Sequence, residues 1–141
     1  MPHTDTRRAH IEKVWAAAWN HGDVDALDEL LADGYLRHGR EPHPQDLRMF
    51  KASIAATRSA FPDLTTVLDD VVIEGDRAAV RWHSTGTHEG ALLGVPATRR
   101  RVEVAGATFA RFDGALIAEE FVTWDPRALL SALGIIAVGQ D

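Results

Sequence analysis

The chain has no cysteine among its 141 residues, so a disulfide framework, a thiol nucleophile and a thiolate metal site are excluded. A reducing compartment fits that composition, and a cytoplasmic location is expected. No apolar run approaches the roughly 20 residues a bilayer span needs. The polar start, with Thr4, Asp5, Arg7 and Arg8, lacks the apolar centre of a signal peptide. No membrane association is expected. Basic residues are in the minority: 15 Lys and Arg stand against 21 Asp and Glu, a formal charge of −6. Nucleic acid is therefore not an expected partner, because phosphate binding needs a positive field. Arg99-Arg100-Arg101 runs against that balance locally and reads as a solvated loop or strand start. Nucleotide and nucleophile motifs are missing as well. There is no Gly-x-Ser-x-Gly elbow, no Gly-x-Gly-x-x-Gly turn and no phosphate loop, so no cofactor is expected. No two histidines have the helical spacing of His-Glu-x-x-His, and no cluster suits zinc. His38 and His43, across a proline loop, give only a weak metal signal, and no metal is expected.

What remains is an ordinary globular balance, 45% hydrophobic and 26% charged residues. The length suits one domain able to bury a core unaided, and residues 1–141 are read as that domain. Ile11, Val14, Trp15, Ala18 and Trp19 recur at three- and four-residue steps, which predicts a helix ending at His21-Gly22. Asp23 is placed to cap a second, short helix carrying Ala26, Leu27, Leu30 and Leu31. Gly34 breaks that helix, Tyr35 to His38 reads as a short extended piece, and 39–44 as a proline loop. A third helix carries Leu47, Phe50, Ile54, Thr57 and Phe61 on one face and ends at Pro62.

Beyond Pro62 the period falls to two. Residues 64–73, 77–88, about 101–112 and 115–125 predict four strands, with turns at Glu74-Gly75-Asp76 and Asp113-Gly114. Pro126 suits the first turn of a closing helix, Arg127 to Leu133. Helices followed by an antiparallel meander make an α+β domain. A sheet curled over its helices leaves a conical hollow, and Gly86, Gly90 and Gly106 are positions where strands bend.

Asp125 is the residue on which a functional reading turns. With Asp113-Gly114 as a two-residue turn, Asp125 lies opposite Val102. It then shares a face with Val104, Gly106, Thr108, Ala110, Phe121 and Ile117, while Glu103, Phe109, Arg111, Glu120 and Trp124 take the other. A carboxylate in an apolar wall is penalised in its charged form, which suits a base that removes a proton beside a carbonyl. The competing reading is a cap on the helix that starts at Pro126. His88 ends a strand, sharing parity with Trp82 and Ser84, and His38 closes Tyr35-Leu36-Arg37-His38. A lone histidine is more often a bystander than a catalyst. Trp15, Trp19, Phe50 and Phe121 suit either an ordinary core or the walls of a cavity for a flat ligand. Arg81 and Asp70 face each other if Gly75-Asp76 makes the first hairpin turn, and form an ion pair.

Several short pieces together carry a resemblance. Asn20-His21-Gly22-Asp23-Val24-Asp25-Ala26-Leu27, Tyr35-Leu36-Arg37-His38, Phe61-Pro62-Asp63-Leu64, Gly86-Thr87-His88-Glu89-Gly90 and Gly94-Val95-Pro96-Ala97-Thr98 look like the SnoaL-like polyketide cyclase family, as does Phe112 to Asp125. They span about residues 10–134. The resemblance implies the nuclear transport factor 2-like cone, N-terminal helices on a curved, mainly antiparallel sheet, usually as a homodimer or higher oligomer. It also implies a cofactor-free intramolecular aldol ring closure by acid/base chemistry in an apolar pocket. Asp125 is then the acid and His88 its catalytic partner. His38, Trp15, Trp19, Phe50 and Phe121 contact a hydrophobic small-molecule substrate. Two departures are visible: Phe121 stands where many relatives have Trp, and Arg99 where the turn usually has Gly. An isomerase or epoxide hydrolase on the same fold, or a binding domain without turnover, are the alternative expectations.

Overall fold

The computed structural model describes residues 2–92 and 94–135; residue 93 and both ends of the expected 1–141 domain, residue 1 and residues 136–141, lie outside the described residues. Helix α1, Pro2–Trp15, passes directly into a π-helical turn at Ala16–Asn20. Its spaced apolar residues Ile11, Val14, Trp15 and Ala18 are buried, as the periodicity requires. Val24–Glu29 forms a short 3-10 segment. Helix α2, Leu47–Ala60, is capped by Asp46, whose side chain accepts the Met49 N–H at 2.8 Å. It buries Phe50, Ile54 and Ala60. Helix α3, Pro126–Ala132, closes the described chain.

The sheet has six strands rather than the four expected. They are β1 Leu31–His38, β2 Gln45–Asp46, β3 Thr65–Glu74, β4 Arg77–Thr87, β5 Arg101–Asp113 and β6 Leu116–Trp124. Their spatial order is β2-β1-β6-β5-β4-β3, and only β1 with β6 runs parallel. The expected second helix is cut short because Leu31 opens β1, and Gly34 lies within that strand instead of breaking a helix. Among the described residues, no helix is long and apolar enough to cross a membrane.

Register decides which side chains reach the helices. In the first hairpin Glu74 pairs with Arg77 around Gly75-Asp76, and Asp70 meets Arg81, whose Nη2 lies 2.7 Å from Asp70 Oδ2. A bulge at Asp69 then pairs Leu68 with Trp82. In the last hairpin Asp113 pairs with Leu116, so the turn residues are Gly114-Ala115. Phe112 pairs with Ile117 but Arg111 with Glu119, which leaves Ala118 as an extra residue in β6. Side chains alternate with a period of two, so this one residue exchanges the two faces of β6 from there on. Glu120, Val122 and Trp124 therefore stand beside Ala110, Thr108 and Gly106 on the inner face. Phe121 pairs with Phe109 on the outer face, where they are 44% and 54% exposed.

Two buried clusters hold the layers together. The larger joins α1, α2 and the sheet through residues such as Ile11, Leu30, Tyr35, Ile54 and Ile117. The smaller groups Ala60, Phe61, Leu64, Val102 and Leu133, and Trp19 packs against both. Between them, Gly106 pairs with Trp82 on one side and Trp124 on the other. A Cβ at position 106 would lie 2.5 Å from the Trp82 indole and 2.6 Å from the Thr123 carbonyl oxygen. Gly106→Ala is expected to cost about 1–3 kcal/mol by overpacking, read as a lower urea midpoint at unchanged slope.

Candidate functional site

A cavity of about 670 Å³ opens between the inner face of the sheet and the helices. All four tryptophans of the chain line it: Trp15 and Trp19 from the first helical segment, Trp82 from β4 and Trp124 from β6. Phe50 and Phe61 add two more rings. Val102, Val104 and Val122 form the sheet wall, and Leu129 and Leu130 of α3 the far wall. Polar groups in the lining largely satisfy one another. Gln45 Nε2 donates to Ser53 Oγ at 2.8 Å, and the Thr66 and Ser84 hydroxyls meet at 2.7 Å. Exposed Arg40 and Glu41 line the cavity from the 39–44 loop.

One charged cluster is built into this apolar surround. Alternation along β1 puts Tyr35 and Arg37 on the inner face, and the parallel register sets Arg37 beside Glu120 of β6. The Tyr35 hydroxyl donates to the Glu120 carboxylate, and Arg37 Nη1 lies 3.4 Å from Glu120 Oε1. Arg37 lines the cavity with its guanidinium carbon 4.3 Å from the centre of the Phe50 ring. Tyr35 stacks on the same ring at 5.8 Å. Burial pushes the Glu120 carboxyl above its ordinary value, against the pull of Arg37 and the Tyr35 hydrogen bond. Burial and the neighbouring Glu120 likewise push the Tyr35 hydroxyl up.

The residues singled out in the sequence do not converge. Trp15, Trp19 and Phe50 line the cavity. Phe121 does not: the Ala118 bulge turns it to the outer face, where the His38 ring stacks on it at 4.6 Å. His38 Nε2 lies 2.7 Å from Glu119 Oε2, so that histidine also belongs to the outer side, and its hydrogen bond holds the Glu119 carboxyl below the usual range. Asp125 is exposed at the N-cap of α3, with Oδ1 accepting the Arg127 N–H at 2.9 Å. The expected place in an apolar wall is thus corrected by the register, and the capping alternative describes its geometry. His88 is buried behind Phe61, with 5.5 Å between ring centres. Its Nδ1 accepts the Thr98 N–H at 3.1 Å, which fixes the ring proton on Nε2. Among the described residues that Nε2 has no hydrogen-bond partner.

Tyr35, Arg37, Glu120, Trp82 and Trp124 were missed in the sequence as site residues. The alternation Tyr35-Leu36-Arg37 carried the signal for the first two, once that piece is read as a strand of the sheet. Arg99 departs from the usual turn glycine and does adopt a left-handed conformation, φ 63°.

The family model described as SnoaL-like polyketide cyclase matches residues 9–133. The chain belongs to the SnoaL-like polyketide cyclase family. Among solved structures, TsrD from Streptomyces laurentii is similar at 31% identity and a TM-score of 0.80, over 92% of this chain and 98% of TsrD. IdmH from Streptomyces antibioticus, a proposed polyketide cyclase, shares 29% identity at a TM-score of 0.78, over 91% and 98%. AclR from Streptomyces galilaeus, a proposed hydroxylase, shares 26% identity at 0.84, over 94% and 98%. No curated protein sequence matches the chain significantly. The helices on a curved, unclosed sheet are the SnoaL-like form of the nuclear transport factor 2-like fold.

Two measurements check this geometry. Asp125→Asn keeps an oxygen for the cap and is expected to leave stability within a few tenths of a kcal/mol, whereas Asp125→Ala is expected to lose about 1 kcal/mol. Urea unfolding of the two variants separates them. The second concerns Glu120, whose folded carboxyl titrates above the ordinary 4.5. Folding therefore favours its protonated form: that contribution is full below about pH 4.5 and is lost as pH rises through the folded value. The stability of the unaltered protein relative to Glu120→Gln is expected to fall steadily as pH rises above about 4.5, in urea melts across that range.

Proposed function

We propose that this SnoaL-like protein is a cofactor-independent polyketide cyclase. The observation that carries the reading is the tryptophan-lined cavity in a chain of this family. The substrate is a flexible chain of alternating carbonyls. A C–H between two carbonyls loses its proton, the resulting enolate carbon attacks a second carbonyl carbon, and the new alkoxide takes up a proton. One C–C bond forms and no atom is gained or lost. Such a reaction depends on folding the chain correctly, and orientation between fixed walls contributes several kcal/mol of the barrier. Flat aromatic walls fit the product ring better than the extended substrate. His88 is kept in this reading as a donor, through Nε2–H, to a substrate oxygen that reaches past Phe61. Asp125 is assigned to capping α3 and not to proton transfer.

AclR favours a second reading, since that protein is a proposed hydroxylase. Product mass separates the two: ring closure leaves the mass unchanged or lowers it by one water, while hydroxylation adds one oxygen atom. Ala56 lines the cavity from an exposed position on α2, where a larger side chain is tolerated by the fold. Ala56→Trp is expected to lower kcat/KM for ring closure of a linear poly-β-keto ester by at least about tenfold with little change in Tm. Undiminished closure by that variant refutes the cavity as the place of reaction.

A further inference from the structure

We propose that the cavity selects ligands carrying a carboxylate, which docks on Arg37 while the attached ring system lies between the tryptophans. The inference rests on the reading of this cavity as a site for polyketide-like molecules and names the charge such a molecule carries. Arg37 is largely shielded, with 16% of its side chain exposed, yet it lines the cavity. Among the described residues its partners are one carboxylate oxygen, at 3.4 Å from Nη1, and the face of Phe50. That contact is long for a charge-assisted hydrogen bond, and it engages one nitrogen of the guanidinium. Among the described residues the other guanidinium nitrogens make no hydrogen bond. A planar fork with unspent donors matches the two oxygens of a carboxylate.

The surround strengthens this choice. Glu120, among the described residues the one counter-charge in contact with Arg37, shares its Oε1 with the Tyr35 hydroxyl and has its carboxyl pushed toward the neutral form by burial. Charged residues in the described lining are Arg37, Arg40 and Glu41, two positive and one negative, a net of +1 in a chain of net charge −6. The remaining polar pairs, Gln45 with Ser53 and Thr66 with Ser84, are already bonded to each other. A neutral polycarbonyl ligand offers the Arg37 donors only single, uncharged oxygens, whereas a carboxylate offers two charged oxygens in the matching geometry.

All four tryptophans line the cavity, so their fluorescence reports occupancy directly. The probes are anthraquinone-2-carboxylate, its methyl ester and 2-hydroxyanthraquinone, titrated into the full chain. The acid is expected to quench with a Kd roughly tenfold or more below that of the ester, with the phenol close to the ester. Arg37→Met is expected to bring acid and ester within about twofold of each other by weakening the acid alone. Glu120→Gln, which frees the guanidinium, is expected to tighten the acid a fewfold and leave the ester unchanged; it also serves if Arg37→Met does not fold. Equal affinities for acid and ester in the unaltered protein, or an acid preference that survives Arg37→Met, overturn the inference while leaving the cavity reading intact. Binding of none of the three probes overturns both. A phenol as tight as the acid shows that the site takes enolate-like oxyanions in general and overturns the carboxylate assignment.

Discussion

One unpaired residue in β6, Ala118, governs the composition of the site. It exchanges the faces of everything from Glu119 to Trp124, because a strand has only two faces and one added residue swaps them. With the bulge, two indoles flank Gly106 on the inner face and a glutamate enters the interior. Without it, Phe121 and Glu119 would take the interior positions and Glu120 would lie outside. Which rings wall the cavity and which of two adjacent glutamates is buried are thus consequences of a single local irregularity.

A glutamate turned inward needs partners, and they come from β1. Burying an unpaired carboxylate costs several kcal/mol, and the attraction of a nearby cation offsets this only when hydrogen bonds complete the set. The parallel pairing of β1 with β6 supplies both, Arg37 directly across and the chain's one tyrosine two residues earlier. Phe50 of α2 then covers the pair, stacked on Tyr35 and beneath the Arg37 guanidinium. The outer face of the same two strands carries its own pair, His38 with Glu119. Both faces therefore favour the same β1–β6 register.

The first and third helices, the two hairpins and the closing helix were legible because each has periodicity or a turn marker, among them Ile11 to Trp19, Gly75-Asp76 and Pro126; Asp113-Gly114 marked the last hairpin, whose turn falls one residue later, at Gly114-Ala115. Membership of β1 in the sheet was not. Ala26, Leu27, Leu30 and Leu31 fit helical spacing, but the helix stops at Glu29 and Leu31 belongs to the strand. Short apolar runs do not distinguish the two states. The bulge was illegible for a different reason: Ala118 has no turn chemistry, and Ala118-Glu119-Glu120-Phe121 alternates acceptably in either register. Trp15, Trp19 and Phe50 could be found because bulk and helical spacing are visible in a sequence. Arg37 could be placed only once Tyr35 to His38 was read as a strand of the sheet, and Glu120 could not be placed, since its inward turn depends on the bulge. Asp125 misled because the same Asp-Pro step serves a cap and a strand end alike.

The hollow itself has a cost that shapes how it works. Apolar walls left uncovered forgo the burial that a packed core gains, and stability falls with the area so exposed. The fold carries this because its two clusters are packed at either side, with Trp19 bridging them. Small side chains at Ser53, Ala56 and Ser84 keep the space between open, and Gly106 lets the Trp82 and Trp124 indoles pack closely beside it. A ligand of matching thickness restores the missing contacts and stabilises the folded state by mass action. Its orientation then follows from an asymmetry already present in the walls. The α3 side, with Pro126, Leu129 and Leu130, is apolar, and the β1 side carries a guanidinium. Shape admits the ring system, and charge decides which end enters first.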